Sequence, residues 1–427
     1  MLVLTLLASI GVTLFLTLTP AEEVHALGGQ PRAPGDVEPL DAIAAITLPR
    51  RETSDVESSV VRGILDVARS RPDAALAEID RILQSNPNFR LAHLVRGDLL
   101  LARARPLTAF GNSGHSGADG EGTERIERLN DLRAEARARL TRLAAEPPTD
   151  LLPKQLLQLD PNQRYAVVVD SAKSTLYVFE QVDGKIRYLS DFYISIGRNG
   201  TDKVREGDKR TPLGVYHVRA NLPRQKLPDF YGSGALPINY PNEWDRREGR
   251  TGHGIWLHGV PADTFARPPL SSDGCVVLAN PDFDALLPLM QIGSTPVLLT
   301  STIEWVDPAA IDSMRRSLAQ TIEAWRQDWE SRDVSAYLRH YARDFSGDGG
   351  RDLDAWLQQK GKVNASKTWV RIGLRNTSMF LYPNRDNLAV VQFEQDYASN
   401  NLNQQMRKRQ YWQLQDGVWR IVYEGNA

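Results

Sequence analysis

Cysteine is almost missing from this 427-residue chain: Cys275 stands alone. A single thiol excludes intrachain disulfides and every zinc or iron–sulfur site built from several cysteines. An excess of one charge is missing too. Lys and Arg total 51 against 53 Asp and Glu, a net charge of −2. A surface made to hold polyanions would be strongly basic, so nucleic acid is set aside as a partner. Histidine is scarce at seven residues, and none is spaced with others as a ligand set, so no metal is expected. What is present is ordinary: 41% hydrophobic and 24% charged residues, a globular composition at a length that calls for two or three cores.

One apolar run stands out. Leu2 to Leu18 carries no charge, Thr19, Pro20 and Glu22-Glu23 follow, and Val24-His25-Ala26 offers a small-residue cleavage site. Residues 1–26 read as a secretory signal that lacks its usual leading Lys or Arg, as a mis-assigned start codon would explain. The alternative is an uncleaved inner-membrane anchor, for which about 17 apolar residues is short beside the ~20 of a span. Either reading places the protein in the periplasm. There an unpaired thiol is open to oxidation, so Cys275 is either buried and inert or kept for its chemistry. Its neighbours decide.

Residues 27–54, rich in Pro, Gly and Ala between Gly28 and Pro49, read as a linker. Residues 55–150 turn helical. Val60, Ile64, Leu65 and Val67, then Ala75, Leu76, Ile79 and Leu83, then Leu91, Leu94, Leu99 and Leu100 mark three amphipathic segments. They look like a tetratricopeptide-type hairpin with a cap, without a second copy at the ~34-residue period of an array. Gly111 to Gly122 is a flexible loop holding a solvated His115, and a charged helix runs from Glu124 to Ala145. From residue 160 to 302 the pattern is strand-like: YAVVVD, TLYVFEQ, RYLSDFYISIG, VYHVRA, GIWLHG, CVVLAN and TPVLLT, with Val182-Asp183-Gly184-Lys185 as a hairpin turn. Residues 308–427 give helices first, Ile311 to Arg326, Asp333 to Tyr341 and Leu353 to Gln359. Strand stretches WVRIGL, SMFLYP, LAVVQFEQ, RQYWQLQ and WRIVYE follow. The fold class is therefore multidomain: an N-terminal all-α helical region, a central mainly-β domain and a C-terminal α+β cone.

Three features of the β domain coincide. GHGIWLHG puts Gly254, Trp256 and His258 on one strand face, with Ile255 and Leu257 on the other. Ser272-Asp273-Gly274-Cys275 follows after a proline-rich spacer and runs into the strand VVL. GDKRTPLGVY adds Gly207, Thr211, Pro212, Gly214 and Tyr216. A thiol with a reference pKa of ~8.5 is a few per cent thiolate near neutrality, and an adjacent imidazole can take its proton to give a thiolate–imidazolium pair. The small Gly274 lets a carbonyl approach and leaves backbone N–H groups for an oxyanion. No acidic residue is placed to orient His258, so a backbone carbonyl near Gly259 is expected to do so.

On these residues the chain resembles the L,D-transpeptidase (YkuD) catalytic domain family, over about a third of its length. The family's pattern is His-Gly, a spacer and Ser/Thr-His-Gly-Cys; this chain has His258-Gly259 and Ser272-Asp273-Gly274-Cys275. Asp273 stands where most members carry a second histidine. The resemblance implies Cys275 as nucleophile and His258 as base, acting without cofactor on peptidoglycan stem peptides. The amide between the L-centre of diaminopimelate and D-Ala is attacked, a thioacyl-enzyme forms and D-Ala leaves. Water as acceptor then gives a tripeptide (L,D-carboxypeptidase), and an amine gives a 3–3 cross-link (L,D-transpeptidase). The last unit, with AWRQDWESRDVSAYLRHYARDF, resembles the nuclear transport factor two-like cone. The order of the three units is similar to L,D-carboxypeptidases of curved and helical bacteria, which favours water.

Other residues are weighed on both sides. Ten Lys/Arg against six Asp/Glu lie between Lys203 and Arg250. Most read as a solvated face; Lys209, Arg210, Arg246, Arg247 and Arg250 are candidates for gripping stem carboxylates in a fork. Trp256 is a candidate for the pocket wall and equally for core packing, and Tyr216 and His253 are further substrate-binding candidates. His253 reads as a supporting histidine, His217 as a satisfied polar position and His340 as solvated. Trp325, Trp329, Tyr337 and Tyr341 read as cone core. Two rivals stay open: a hydrolase freeing outer-membrane protein from the stems, and an inactive fold recruiting wall enzymes. The helical and C-terminal units offer surfaces for a second copy of the chain (a homodimer) or for wall-enzyme partners.

Overall fold

The computed structural model describes residues 39–48, 55–112, 122–145 and 148–427. The expected signal, His115 and most of the expected linker lie outside the described residues. The described part of that linker is a helix, Leu40–Ala45, with Ile43 buried. The Arg69 guanidinium donates to the carbonyls of Ala44 and Ile46 at 3.0 and 2.5 Å. Leu40 and Ile43, one turn apart, supply an apolar stripe that a composition reading passes over.

Helices Asp55–Ala68, Pro72–Ser85 and Arg90–Ala104 pack around Val60, Ile64, Ile79, Leu91, Val95 and Leu99. Pro72 opens its helix at a position where the missing N–H costs nothing. The charged helix Gly122–Ala144 sends Leu129, Ala136, Leu140 and Leu143 into the same core. Its charges are not all solvated. Arg139 and Arg142 are buried with Glu57 and Glu135, and Arg142 also pairs with Asp191 of the β domain. The two Glu57 oxygens are thus shared between two guanidiniums.

The β domain is built on a five-stranded sheet in the order Lys185–Tyr193, Thr175–Val182, Tyr165–Asp170, Pro296–Thr300, Gly214–His217, antiparallel except for the central parallel pair. Asp183 and Gly184, both at positive φ, turn the hairpin between its first two strands. Tyr165–Asp170 is apolar on both sides because both faces are covered. Val167, Val169, Leu176 and Val178 join a core with Leu236, Leu257 and Val276 of a smaller sheet. Ala166, Val168, Phe179 and Leu298 join the core of the C-terminal unit, beside Leu318, Ile322 and Trp325. The smaller sheet, ordered Val276–Val277, Trp256–His258, Gly234–Pro237, Leu222–Pro223, carries His258 and is entered directly from Cys275.

The C-terminal unit packs the helix Pro308–Ser331 against a mostly antiparallel sheet in which Tyr341–Gly347 runs parallel to Val418–Asn426. WVRIGL and SMFLYP are one strand, Val370–Leu381, with a register shift between Arg375 and Ser378 and Asn376 at φ +50°. An extra residue breaks the alternation there and reads as an end in sequence. Leu156–Gln158 adds a strand to this sheet from the other side of the β domain, and Leu152–Pro153 pairs with Trp305–Val306. The short helix Glu243–Arg247 docks the two units: Trp244 stacks on Tyr411 at 5.6 Å and Glu243 holds Arg409 at 2.6 Å. His340, expected to be solvated, pairs with Asp328 at 2.8 Å and is largely covered. Trp325, Trp329, Tyr337 and Tyr341 are core.

Candidate active site

Trp256–His258 lies parallel to Val276–Val277 with Leu257 opposite Val276 and His258 opposite Val277. That register sets Cys275 beside Trp256 and one pleat from His258, on the face opposite the buried Leu257 and Val276. The Trp256 N–H hydrogen-bonds the sulfur, and the thiol donates to Gly254 O at 3.4 Å. No hydrogen bond joins the sulfur to the imidazole.

His258 is buried, and its Nδ1 lies 2.6 Å from Gly259 O. A carbonyl only accepts, so Nδ1 carries the hydrogen and Nε2 keeps its lone pair. This is the orienting carbonyl expected from the sequence. Val260, the next residue, is held in turn by Asn280, whose amide accepts from Val260 N–H at 3.0 Å and donates to Val260 O at 2.9 Å.

The turn before the cysteine is fixed from within. Ser272 Oγ donates to Cys275 O at 2.6 Å and accepts from Gly274 N–H at 3.1 Å. Gly274 N–H is therefore taken, and it is not the oxyanion donor that the sequence suggested. Gly274 sits at φ +127°, and a side chain there would come within 2.7 Å of Arg210 O. The upstream motif acts here through Thr211. Fully buried, its Oγ1 donates to Gly274 O at 2.9 Å and accepts from Gly197 N–H at 2.9 Å. Asp273 points away, paired with Arg198 at 2.8 Å and exposed.

The remaining candidates divide. Trp256, half-buried, lies 4.8 Å from the Tyr231 ring and walls the site. Arg210 meets the site only by its backbone; its guanidinium donates to Thr201 O at 2.9 Å. Lys209 is an exposed turn residue at φ +56° and Arg246 an exposed helix residue. Arg247 is not a substrate residue here: it binds Asp344 and Ser346 of the C-terminal unit at 2.6 and 2.9 Å. Arg250 is held by Asp202 and Lys203 O at 2.8 and 2.7 Å. Tyr216 lies in the core, its hydroxyl on Asp245 at 3.0 Å, because alternation turns it away from the cleft. His253 is exposed beside Glu206 at 3.4 Å. His217 is buried against Gln392 of the C-terminal unit.

Two groups escape sequence reasoning. Phe230 and Tyr231, in a turn between Pro228 and Gly232, lie 5.8 and 5.1 Å from the His258 ring. An aromatic pair bracketed by turn residues was the available signal. The second is Arg267, hidden in the spacer ARPPL.

Burial among these rings pushes His258 down to about 4, and the Arg267 charge adds to this. Burial pushes the Cys275 thiol up, against the Trp256 N–H and the Arg267 charge. Near neutral pH the site therefore rests as thiol and neutral imidazole rather than as the expected ion pair, since the low-dielectric cleft penalises both charges. Such a pair can pass its proton during attack on a carbonyl instead of before it. Among the described residues no cluster of three or more His, Cys, Asp or Glu could hold a metal ion.

The L,D-transpeptidase catalytic domain (YkuD) matches residues 164–299, which hold this whole constellation, and the Cds6 C-terminal NTF2-like domain matches residues 317–425. The solved structure of Bd1075 from Bdellovibrio bacteriovorus is 30% identical, with a TM-score of 0.58 over 65% of this chain and 98% of that one. The chain belongs to the L,D-transpeptidase family. The helical cell shape determining protein Pgp2 from Campylobacter jejuni is similar in fold, at 24% identity and a TM-score of 0.55 over 65% of this chain and 96% of that one. YafK from Escherichia coli (strain K12) is 28% identical over 113 residues, 26% of this chain. The chain spans 41% of the length of that curated relative.

Proposed function

We propose that this L,D-transpeptidase-family protein is an exported cysteine enzyme that cleaves the L,D amide of peptidoglycan tetrapeptide stems, with water as acceptor. The observation that carries the reading is the only thiol of the chain standing one pleat from an imidazole whose Nδ1 is locked to Gly259 O. In this reading the thiol leaves Gly254 O when the substrate carbonyl arrives. His258 Nε2 takes the proton as sulfur bonds to the carbonyl carbon of the diaminopimelate L-centre. With Gly274 N–H engaged by Ser272, the oxyanion is assigned in this reading to the Cys275 N–H. The C–N bond breaks, the imidazolium protonates the amine, and D-Ala leaves. Water then attacks the thioester, giving its proton to His258, and the tripeptide departs with the thiol restored.

Water is favoured because Asp273, at the family's usual histidine position, pairs with Arg198 and supplies no imidazole there to deprotonate an incoming amine. Export is supported by the uncharged run Leu2 to Leu18. Purified protein and disaccharide tetrapeptide, analysed by mass spectrometry with and without an amine acceptor, test the reading. Tripeptide in both cases is expected, and Cys275→Ala abolishes it. A 3–3 dimer as main product would reverse the acceptor, and full activity of Cys275→Ala would end the cysteine mechanism.

A further inference from the structure

Among the described residues Arg267 is a half-buried cation with no ion-pair partner. Its guanidinium lies 4.7 Å over the Phe230 ring, and that ring lies 5.8 Å from His258. The nearby carboxylate, Asp273, is held by Arg198, and among the described residues Arg267 forms no ion pair. Burial consequently pushes the guanidinium below its ordinary range, with the Cys275 and Asp273 charges opposing. A planar cation stacked on an aromatic face keeps its edge free for a fork onto a carboxylate.

The loop bearing it is fixed by the helical region. Tyr193 donates its hydroxyl to Arg267 O at 2.9 Å, and the Tyr193 ring lies 4.1 Å beneath the buried Arg139. Phe265 packs on Phe89 with centroids 4.2 Å apart, and Asn88 reaches Ala262 O at 3.4 Å. Ile196 N–H holds Pro269 O at 2.8 Å on the far side. The turn before the helix Arg90–Ala104 and the strands around Tyr193 and Ile196 thus brace this segment.

We propose that Arg267 binds the terminal carboxylate of the leaving residue, which restricts the site to peptides ending one residue beyond the cleaved bond. The inference rests on the stem-peptide reading above. In such a substrate the carboxylate carbon is three bonds from the attacked carbonyl, so a cation stacked on the ring that borders His258, and close enough for its charge to act on Cys275, is within reach of it. A chain extended past that residue has an amide there and leaves the half-buried guanidinium unpaired, which is how a charged site rejects a neutral ligand. The helical region then serves as the brace of a specificity loop.

Binding is read in Cys275→Ala, which cannot turn over, by calorimetric titration of L-Ala-γ-D-Glu-diaminopimelyl-D-Ala and of its C-terminal amide. The acid is expected to bind about 10- to 100-fold more tightly. Adding Arg267→Gln should remove the preference, and Arg267→Lys should keep only part of it, the fork being lost. Phe89→Ala, which leaves Arg267 in place but loosens its loop, should also weaken it. No preference in Cys275→Ala, or an undiminished one with Arg267→Gln, overturns the proposal. If the Gln variant fails to fold, undiminished preference in the Lys variant does so. Wild-type cleavage is scored separately: a retained acid preference without cleavage refutes the functional reading and supports the role of Arg267.

Discussion

The resting protonation state of His258 can be weighed by stability. An unfolded chain takes up this proton below about 6.5, whereas the folded chain, with the ring buried, takes it up only below about 4. Between those values the unfolded state holds the extra proton, so stability falls as pH falls. The contribution is complete above about 6.5, and the gap corresponds to roughly 3 kcal/mol lost by pH 4. Other groups titrate in the same window. Asp245 and Asp282, both pushed up to about 6 by burial, act with the opposite sign, and the buried His217 acts with the same sign. The informative quantity is therefore the difference between the parent and His258→Gln, measured by urea unfolding from pH 4 to 7.5. His258→Gln has no proton to gain, so the parent should lose about 3 kcal/mol more than the variant across that range. Parallel curves would refute the buried neutral imidazole and return the site to a preformed ion pair. The same state predicts an acid limb of kcat/KM near pH 4 rather than near 6.5.

Alkylation of Cys275 by iodoacetamide should be slow at pH 7 and its midpoint should lie above that of a free thiol, because burial disfavours the thiolate; a midpoint below 7 would contradict the site's electrostatics. Thr211→Val should strand the Gly197 N–H and the Gly274 carbonyl, costing about 2–4 kcal/mol and slowing acylation of Cys275. Unchanged melting and acylation would show that the nucleophile turn holds without it. Arg139→Leu removes one guanidinium from a buried cluster and leaves Glu57 and Glu135 short of a partner, so a loss of about 3–5 kcal/mol is expected in thermal unfolding. A neutral outcome would mean that these carboxyls take up protons or reach water.

Much of the site is legible because it is local. His258 and Gly259 are adjacent, so the carbonyl that orients the imidazole follows from the backbone itself once an acidic partner is missing. Ser272, Gly274 and Cys275 lie within four residues and make their own turn. Thr211 was visible as part of a motif, but its hydrogen bond to Gly274 spans 63 residues and has no trace in periodicity. The cationic candidates fared worst. Positive charge near the motif says nothing about direction: Arg247 turned to the C-terminal unit and Arg250 to its own loop, while Arg267 was passed over as part of a spacer.

Alternation, turn residues and composition determined which segments are strands or helices for most of the chain and put Trp256 and His258 on one strand face, because those properties depend on neighbours a few residues apart; the parallel register that brings Cys275 to that face came from docking. Charge pairing did not follow from them. Whether Glu57 meets Arg139, whether Tyr216 faces core or cleft, and which guanidinium is left free beside Cys275 were decided when distant elements docked. Burial sets the energy of a charge, and burial is a property of the packed whole.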